Sequence, residues 1–282
     1  MKDQKYWTTI IRPKRHLLDI NFRDILHYKD LIYLMVRRDF VAQYKQTILG
    51  PLWYIIQPLL TTFMFIVIFG HIAKIPTNGM PHILFYLSGL IIWNYFRRSL
   101  IGISNTFIAN VGLFGKVYFP RLIIPISIVI SNIFQFLIQF FLLMLFWMYF
   151  RFKGVPLFLS WQMFLLPLFV IMAGLMGLGF GLFISAMTIK YRDLKYLLNF
   201  GMQLWMYATP IVYPTSEIPE RWKFLIMLNP ISPIVEIFRK TLLGLGHISI
   251  QWFLYSIFFL IFLIFTGIII FNKVERNFMD TV

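Results

Sequence analysis

Residues 37–58 read RRDFVAQYKQTILGPLWYIIQP, and the fold turns on how this stretch is read. A charged, aromatic-studded segment (Arg37, Arg38, Asp39, Tyr44, Lys45) meets Gly50-Pro51 and becomes an apolar run that carries no formal charge as far as Ala73. Lys and Arg keep their heads in a wet interface while their stems lie along apolar surface. Pro is tolerated at a helix start, and Gly permits the turn before it. Trp53 and Tyr54 then stand at headgroup depth, where amphipathic rings are favoured. The stretch predicts a helix lying on a membrane surface that feeds directly into a helix crossing it. Upstream, Tyr33, Val36, Phe40 and Tyr44 recur at helical spacing, which extends the surface helix over 19–45.

Composition places the whole chain in a membrane. Of 282 residues, 59% are hydrophobic and only 13% charged, where a soluble domain is nearer a quarter charged. Mean hydropathy is +0.75. The absence of Cys excludes disulfides, thiolate metal sites and a Cys nucleophile. The formal charge of +15 is better read as basic residues flanking membrane spans and facing anionic lipid than as a nucleic-acid surface. The basic N-terminus has no apolar core of the signal-peptide kind.

A crossing helix needs about 20 apolar residues. Six segments qualify: 52–72, 81–102, 122–150, 161–189, 196–213 and 252–271. The second carries Arg97 and Arg98 near its end, where long side chains reach the headgroups. With six spans both termini share a side, and that side holds 17 of the 26 Lys and Arg against seven on the other. The positive-inside rule makes it the cytoplasm. The chain then divides into a cytoplasmic tail and interface helix (1–50), a six-helix membrane domain (51–272) and a cytoplasmic tail (273–282). Within the long external segment 215–249, the uncharged run 224–235 is too short to span, and Asn229-Pro230 and Ser232-Pro233 break it. It reads as a re-entrant pair of short helices between the fifth and sixth spans. Gly174, Gly177, Gly179 and Gly181 on the fourth span predict close helix packing.

The missing chemistry narrows function. No acidic residue occurs between Phe40 and Arg192, whereas ion-coupled carriers keep an intramembrane carboxylate. The five His are scattered, although His71 and His82 flank one loop and can approach each other; no metal site is assigned. No P-loop is present, since Gly115-Lys116 is followed by Val117. No catalytic residue is assigned.

Four blocks, in order, resemble the permease subunits of bacterial ABC exporters for polysaccharides of the O-antigen, capsule and teichoic-acid type. The first is Arg37, Arg38, Asp39, Tyr44, Lys45, Leu49, Gly50, Trp53 and Pro58. The second is Phe119-Pro120-Arg121 with Pro125. The third is Arg192-Asp193, followed by Gln203, Trp205, Thr209-Pro210-Ile211 and Tyr213-Pro214. The fourth is Asn229-Pro230, Pro233, Glu236, Arg239 and Leu242-Leu243-Gly244. The resemblance implies an all-α permease in the bacterial inner membrane, working as a homodimer with two cytoplasmic ATPase subunits. It implies a lipid-linked polysaccharide moved outward, with ATP and Mg held by the partner and no cofactor in this chain. An exporter of a small lipid or drug is the nearest alternative. A membrane-embedded glycosyltransferase is a more distant one, since it would need grouped acids such as Glu217, Glu220 and Glu236.

Two sets of residues follow. Aromatic rings offer sugars an apolar face to stack on, and Tyr and Trp add a polar edge. Tyr86, Trp93, Trp205 and Tyr207 are therefore expected to line a path between two subunits. The cytoplasmic loop 105–118 is expected to meet the ATPase through Gly112, Phe114 and Lys116, with Arg37, Arg38 and Asp39 as further contacts.

Overall fold

The computed structural model describes residues 22–45, 47–114, 116–117, 119–191, 193–244 and 249–281, apart from the side chains of 22–24, 43–44 and 275–281. Expectations resting on Asp19, Tyr44, Gly115, Tyr118, Arg192 and His247 lie outside the residues or side chains described. The described chain is 80% helix and contains no strand.

Helices α1 (Phe22–His27) and α2 (Lys29–Tyr44) occupy the segment expected at the membrane surface. Gly50 takes φ +47°, and a single tight turn over Gly50–Leu52, with Pro51 at its start, swings the chain into α3 (Trp53–Phe65). Only glycine adopts that φ cheaply, so Gly50 sets the bend. Past α3 the helix widens through Ile66–Ile72, and the Ala73 N–H reaches back five residues to the Ile68 carbonyl at 2.8 Å.

The core is built around α4 (His82–Ser104). All of its residues from Leu84 to Trp93 are buried. After two one-turn helices, α5 (Thr106–Ala109) and α6 (Val111–Phe114), come α7 (Ile123–Phe152) and α8 (Leu166–Thr188). Small residues bring the helices close. A methyl on Gly177 would lie 2.9 Å from the Phe96 carbonyl oxygen of α4, and one on Gly181 2.6 Å from Ile103 Cβ. The other side of α8 meets α12 (Ile250–Thr281), where a methyl on Gly179 would lie 2.8 Å from Leu263 Cγ. The glycines of the fourth expected span therefore serve two neighbours within the chain, one on each side.

Four segments among the described residues are long and apolar enough to cross a membrane: Gly50–Ile72, Ile123–Phe152, Trp161–Thr188 and Ile250–Val274. Two expected spans are not among them. Helix α4 is long, but Asn94, Arg97 and Arg98 lower its hydropathy; they are partly exposed, while most of its other side chains are buried against protein. The expected fifth span, 196–213, is realised as α9 (Leu194–Tyr207) followed by turns. Fourteen residues rise only about 21 Å, short of the roughly 30 Å hydrocarbon layer. The segment after it folds into α10 (Glu220–Met227) and α11 (Ser232–Leu243), and Gly244 at φ +76° ends α11 with a left-handed cap. Helix α12 runs unbroken to Thr281, past the expected end of the last span at 271 and of the membrane domain at 272.

Candidate transport surface and coupling loop

The four expected path aromatics fall into two ring sets. Trp93 on α4 and Trp205 on α9 meet edge to face with centroids 6.1 Å apart. Phe96 and Phe180 close around the same indole at 5.4 and 5.1 Å. Tyr86 joins a different chain of rings, through Phe65 at 6.0 Å and Phe69 at 5.4 Å to Tyr207 at 6.4 Å. Burial separates the four further. Tyr86 and Trp93 are sealed inside the chain, Trp205 is half-buried, and Tyr207 is 42% exposed. Trp93 is therefore not itself at a surface; it backs the half-buried Trp205. The exposed rings Tyr196, Phe200 and Tyr207 share one face of α9 with the exposed amide of Gln203, at spacings of four, three and four along Tyr196, Phe200, Gln203 and Tyr207. Tyr196 and Phe200 were not among the expected residues, although helical spacing from Tyr207 identifies them.

The third and fourth sequence blocks lock to each other beneath this face. The buried Arg239 of α11 donates from Nη1 to the Pro210 carbonyl at 2.9 Å and from Nη2 to the Ile211 carbonyl at 3.1 Å. Its guanidinium carbon stands 3.9 Å from the centroid of Phe85 on α4. Gly89 makes the room, since a methyl there would lie 2.6 Å from Arg239 Nη2. Asn229 Nδ2 donates to Thr209 Oγ1 at 2.9 Å, and the Thr215 hydroxyl donates to Glu236 Oε1. Thr209 Oγ1 itself donates to the Trp205 carbonyl at 2.9 Å, which ties the lock to the end of α9. From α7, Trp147 Nε1 donates to the Leu242 carbonyl at 3.0 Å; from α12, Ser256 Oγ donates to the Pro230 carbonyl at 2.9 Å. Most of these block residues position α9; they do not face out.

The loop after α4 is divided in a similar way. Gly112 is exposed with open space around it, and Lys116 is exposed. Phe114 turns inward, 5.9 Å from both Phe107 and Phe119, with Arg121 5.2 Å over its ring. A large apolar ring on a short loop finds cover in its own small core, so Phe114 braces the loop and leaves its surface to Gly112 and Lys116. Tyr28, between α1 and α2, and Leu31 and Ile32, in the first turn of α2, pack on this same core. Further along α2, Phe40 meets Phe134 of α7 edge to face at 5.7 Å. Arg37 and Arg38 are exposed, and Arg38 holds Asp39 Oδ1 at 2.8 Å.

Arg98 braces three helices, donating to Gln135 of α7 and, at 3.1 Å, to Gln57 of α3. His71 and His82 do approach, with stacked rings 6.3 Å apart. No group of three His, Cys, Asp or Glu that could hold a metal occurs among the described residues.

A family model described as ABC-2 type transporter matches residues 30–243. The chain is similar to the O-antigen export system permease protein RfbA of Klebsiella pneumoniae, 29% identical over 255 residues that cover 89% of this chain and 94% of the relative. A protein of the same name from Myxococcus xanthus is 26% identical over 219 residues, covering 77% and 82%. The polysialic acid transport protein KpsM of Escherichia coli is 24% identical over 225 residues, covering 75% and 80%.

Proposed function

The chain belongs to the ABC-2 type transporter family, and from that premise we propose that it is the membrane-spanning permease of an ATP-driven exporter moving a lipid-linked polysaccharide outward across the bacterial inner membrane. The observation that carries the reading is the face of α9. Tyr196, Phe200, Gln203 and Tyr207 form an exposed strip without a charge, backed by the Trp93–Trp205 pair. Such a strip lets sugar rings stack and slide, while an amide and phenols satisfy hydroxyls that an aliphatic wall would strand. Relatives named for O-antigen export and polysialic acid transport agree in the class of cargo.

The topology proposed with it has six crossings. Helix α4 crosses inside a jacket of protein, so lipid hydropathy is not required of it. Helix α9 and the turns after it make the fifth crossing, and α10 with α11 re-enters from the external side. Both termini face the cytoplasm, following the basic residues. A second copy faces the α9 strip across the path. Two ATPase subunits, which hold ATP and Mg, dock against Gly112 and Lys116, with Arg37, Arg38 and Asp39 beside them.

The test is co-expression with and without the cognate ATPase, followed by assay of purified complexes in proteoliposomes. ATP turnover only with the ATPase present, together with a sugar-bearing lipid among the co-purified molecules, is the expected result. ATP hydrolysis by the purified chain alone sinks the proposal.

A further inference from the structure

A cavity of about 560 Å³ lies where α2 crosses α4 and α7, lined by Asp39, Ala42, Arg97, Arg98, Ile101, Gly102, Ile128, Ser131 and Asn132. Its charge is not balanced by the protein. Two guanidinium groups line it, and its single carboxylate, Asp39, is already held by Arg38. No other acid is near in sequence, because none occurs between Phe40 and Arg192. Arg98 is engaged with Gln57 and Gln135. Arg97 is different: its Nε is buried and has no hydrogen-bond partner among the described residues, and the buried Ser131 hydroxyl has none either. A buried guanidinium N–H without a partner is well satisfied by an anion, and Arg is suited to phosphate oxygens through its fork of N–H donors.

The position says what carries the phosphate. Arg97 lies seven residues before the end of α4 at Ser104, about 10 Å in from that end. Basic pockets between membrane helices at that level take lipid headgroups. We infer that the cavity between α2, α4 and α7 is a binding site for the phosphate headgroup of a membrane lipid, with Arg97 as its cationic partner and Ser131 as a hydroxyl contact. This rests on the proposed seat of α2 at the membrane surface.

The test uses the full-length chain in detergent, without ATPase and without an export assay, so its outcome is separate from that of the transport reading. Binding of phosphatidylglycerol, a long-chain polyprenyl phosphate, phosphatidylcholine and inorganic phosphate is measured by native mass spectrometry and fluorescent-lipid titration. One or both of the first two lipids should bind, and Arg97→Gln should weaken that binding about tenfold, as expected for one arginine at a lipid phosphate. Ser131→Phe, which fills the cavity and keeps the charge, should weaken it too, while Lys153→Gln should not. Preference for phosphatidylglycerol assigns the site to bulk lipid; preference for polyprenyl phosphate assigns it to a carrier lipid. Unchanged binding in both folded variants overturns the site, as does equal binding of phosphatidylcholine. Displacement of the lipid by millimolar inorganic phosphate overturns the lipid assignment.

Discussion

The guanidinium carbon of Arg239 stands over the Phe85 ring, 3.9 Å from its centroid, although 153 residues separate the two along the chain. The contact joins α11 to α4, and the same group binds the carbonyls of Pro210 and Ile211 at the end of α9. One buried cation thereby fixes three segments that local sequence does not bring together. Buried charges of this kind hold a geometry at little net gain, and removing one partner is costly.

Arg239→Met should therefore lower stability by about 3–5 kcal/mol, the scale for breaking a buried charged contact. It leaves Glu236, only 6% exposed, without its neighbouring cation. Arg239→Lys keeps the charge but loses the fork of donors, and should fall between Arg239→Met and the parent. Thermal unfolding in detergent ranks the three proteins. A melting temperature for Arg239→Met equal to that of the parent would remove Arg239 from its bracing role.

On α8, Gly177→Ala should cost about 1–3 kcal/mol, because the new methyl meets the Phe96 carbonyl and the helix backbones must part. Gly112→Ala has open space around it and should be neutral to within about 0.5 kcal/mol. Comparing the folded fraction of the two variants after extraction checks the difference. Equal losses would show that the α4–α8 approach is not limiting.

Trp93→Ala and Tyr207→Ala should fail in different ways. Trp93 is 1% exposed, and its truncation opens a cavity costing about 3–5 kcal/mol, so the amount of folded protein should drop. Tyr207 is 42% exposed, and its loss should reduce surface polysaccharide while assembly and ATP turnover stay intact. Normal export by a well-folded Tyr207→Ala variant would take Tyr207 off the path.

The chain has no native Cys, so single Cys probes are clean. Lys116→Cys should crosslink to the ATPase within the assembled complex, and Phe114→Cys should not, because the ring it replaces is 5% exposed. Crosslinking from position 114 alone would reverse the proposed surface of the loop.

Topology is read with impermeant thiol reagents on intact cells or spheroplasts. Glu220→Cys, at the start of α10, should be labelled, and Lys195→Cys, at the start of α9, should be protected until the membrane is opened. The opposite pattern would invert the proposed orientation.

Much of the architecture was already legible in the amino-acid sequence. Apolar length and charge composition mark the four long segments, and Gly50-Pro51 marks the bend between α2 and α3. The breakers Asn229-Pro230 and Ser232-Pro233 mark the paired short helices α10 and α11. These are local properties, set by the residues' own backbone preferences and their transfer from water. Tertiary structure alone decided which side of each helix is inside. In a chain of this composition the core and the lipid are equally apolar, so hydropathy does not separate a ring that packs from a ring that faces out. Tyr86 and Tyr207 look alike in sequence, as do Phe114 and Phe119 beside Phe134, and only neighbours distant in the chain distinguish them. The same holds for Arg239 and Arg97. Both are cations in helices, yet packing gives the first two carbonyls and a ring, and leaves the second at a cavity with its Nε unpartnered.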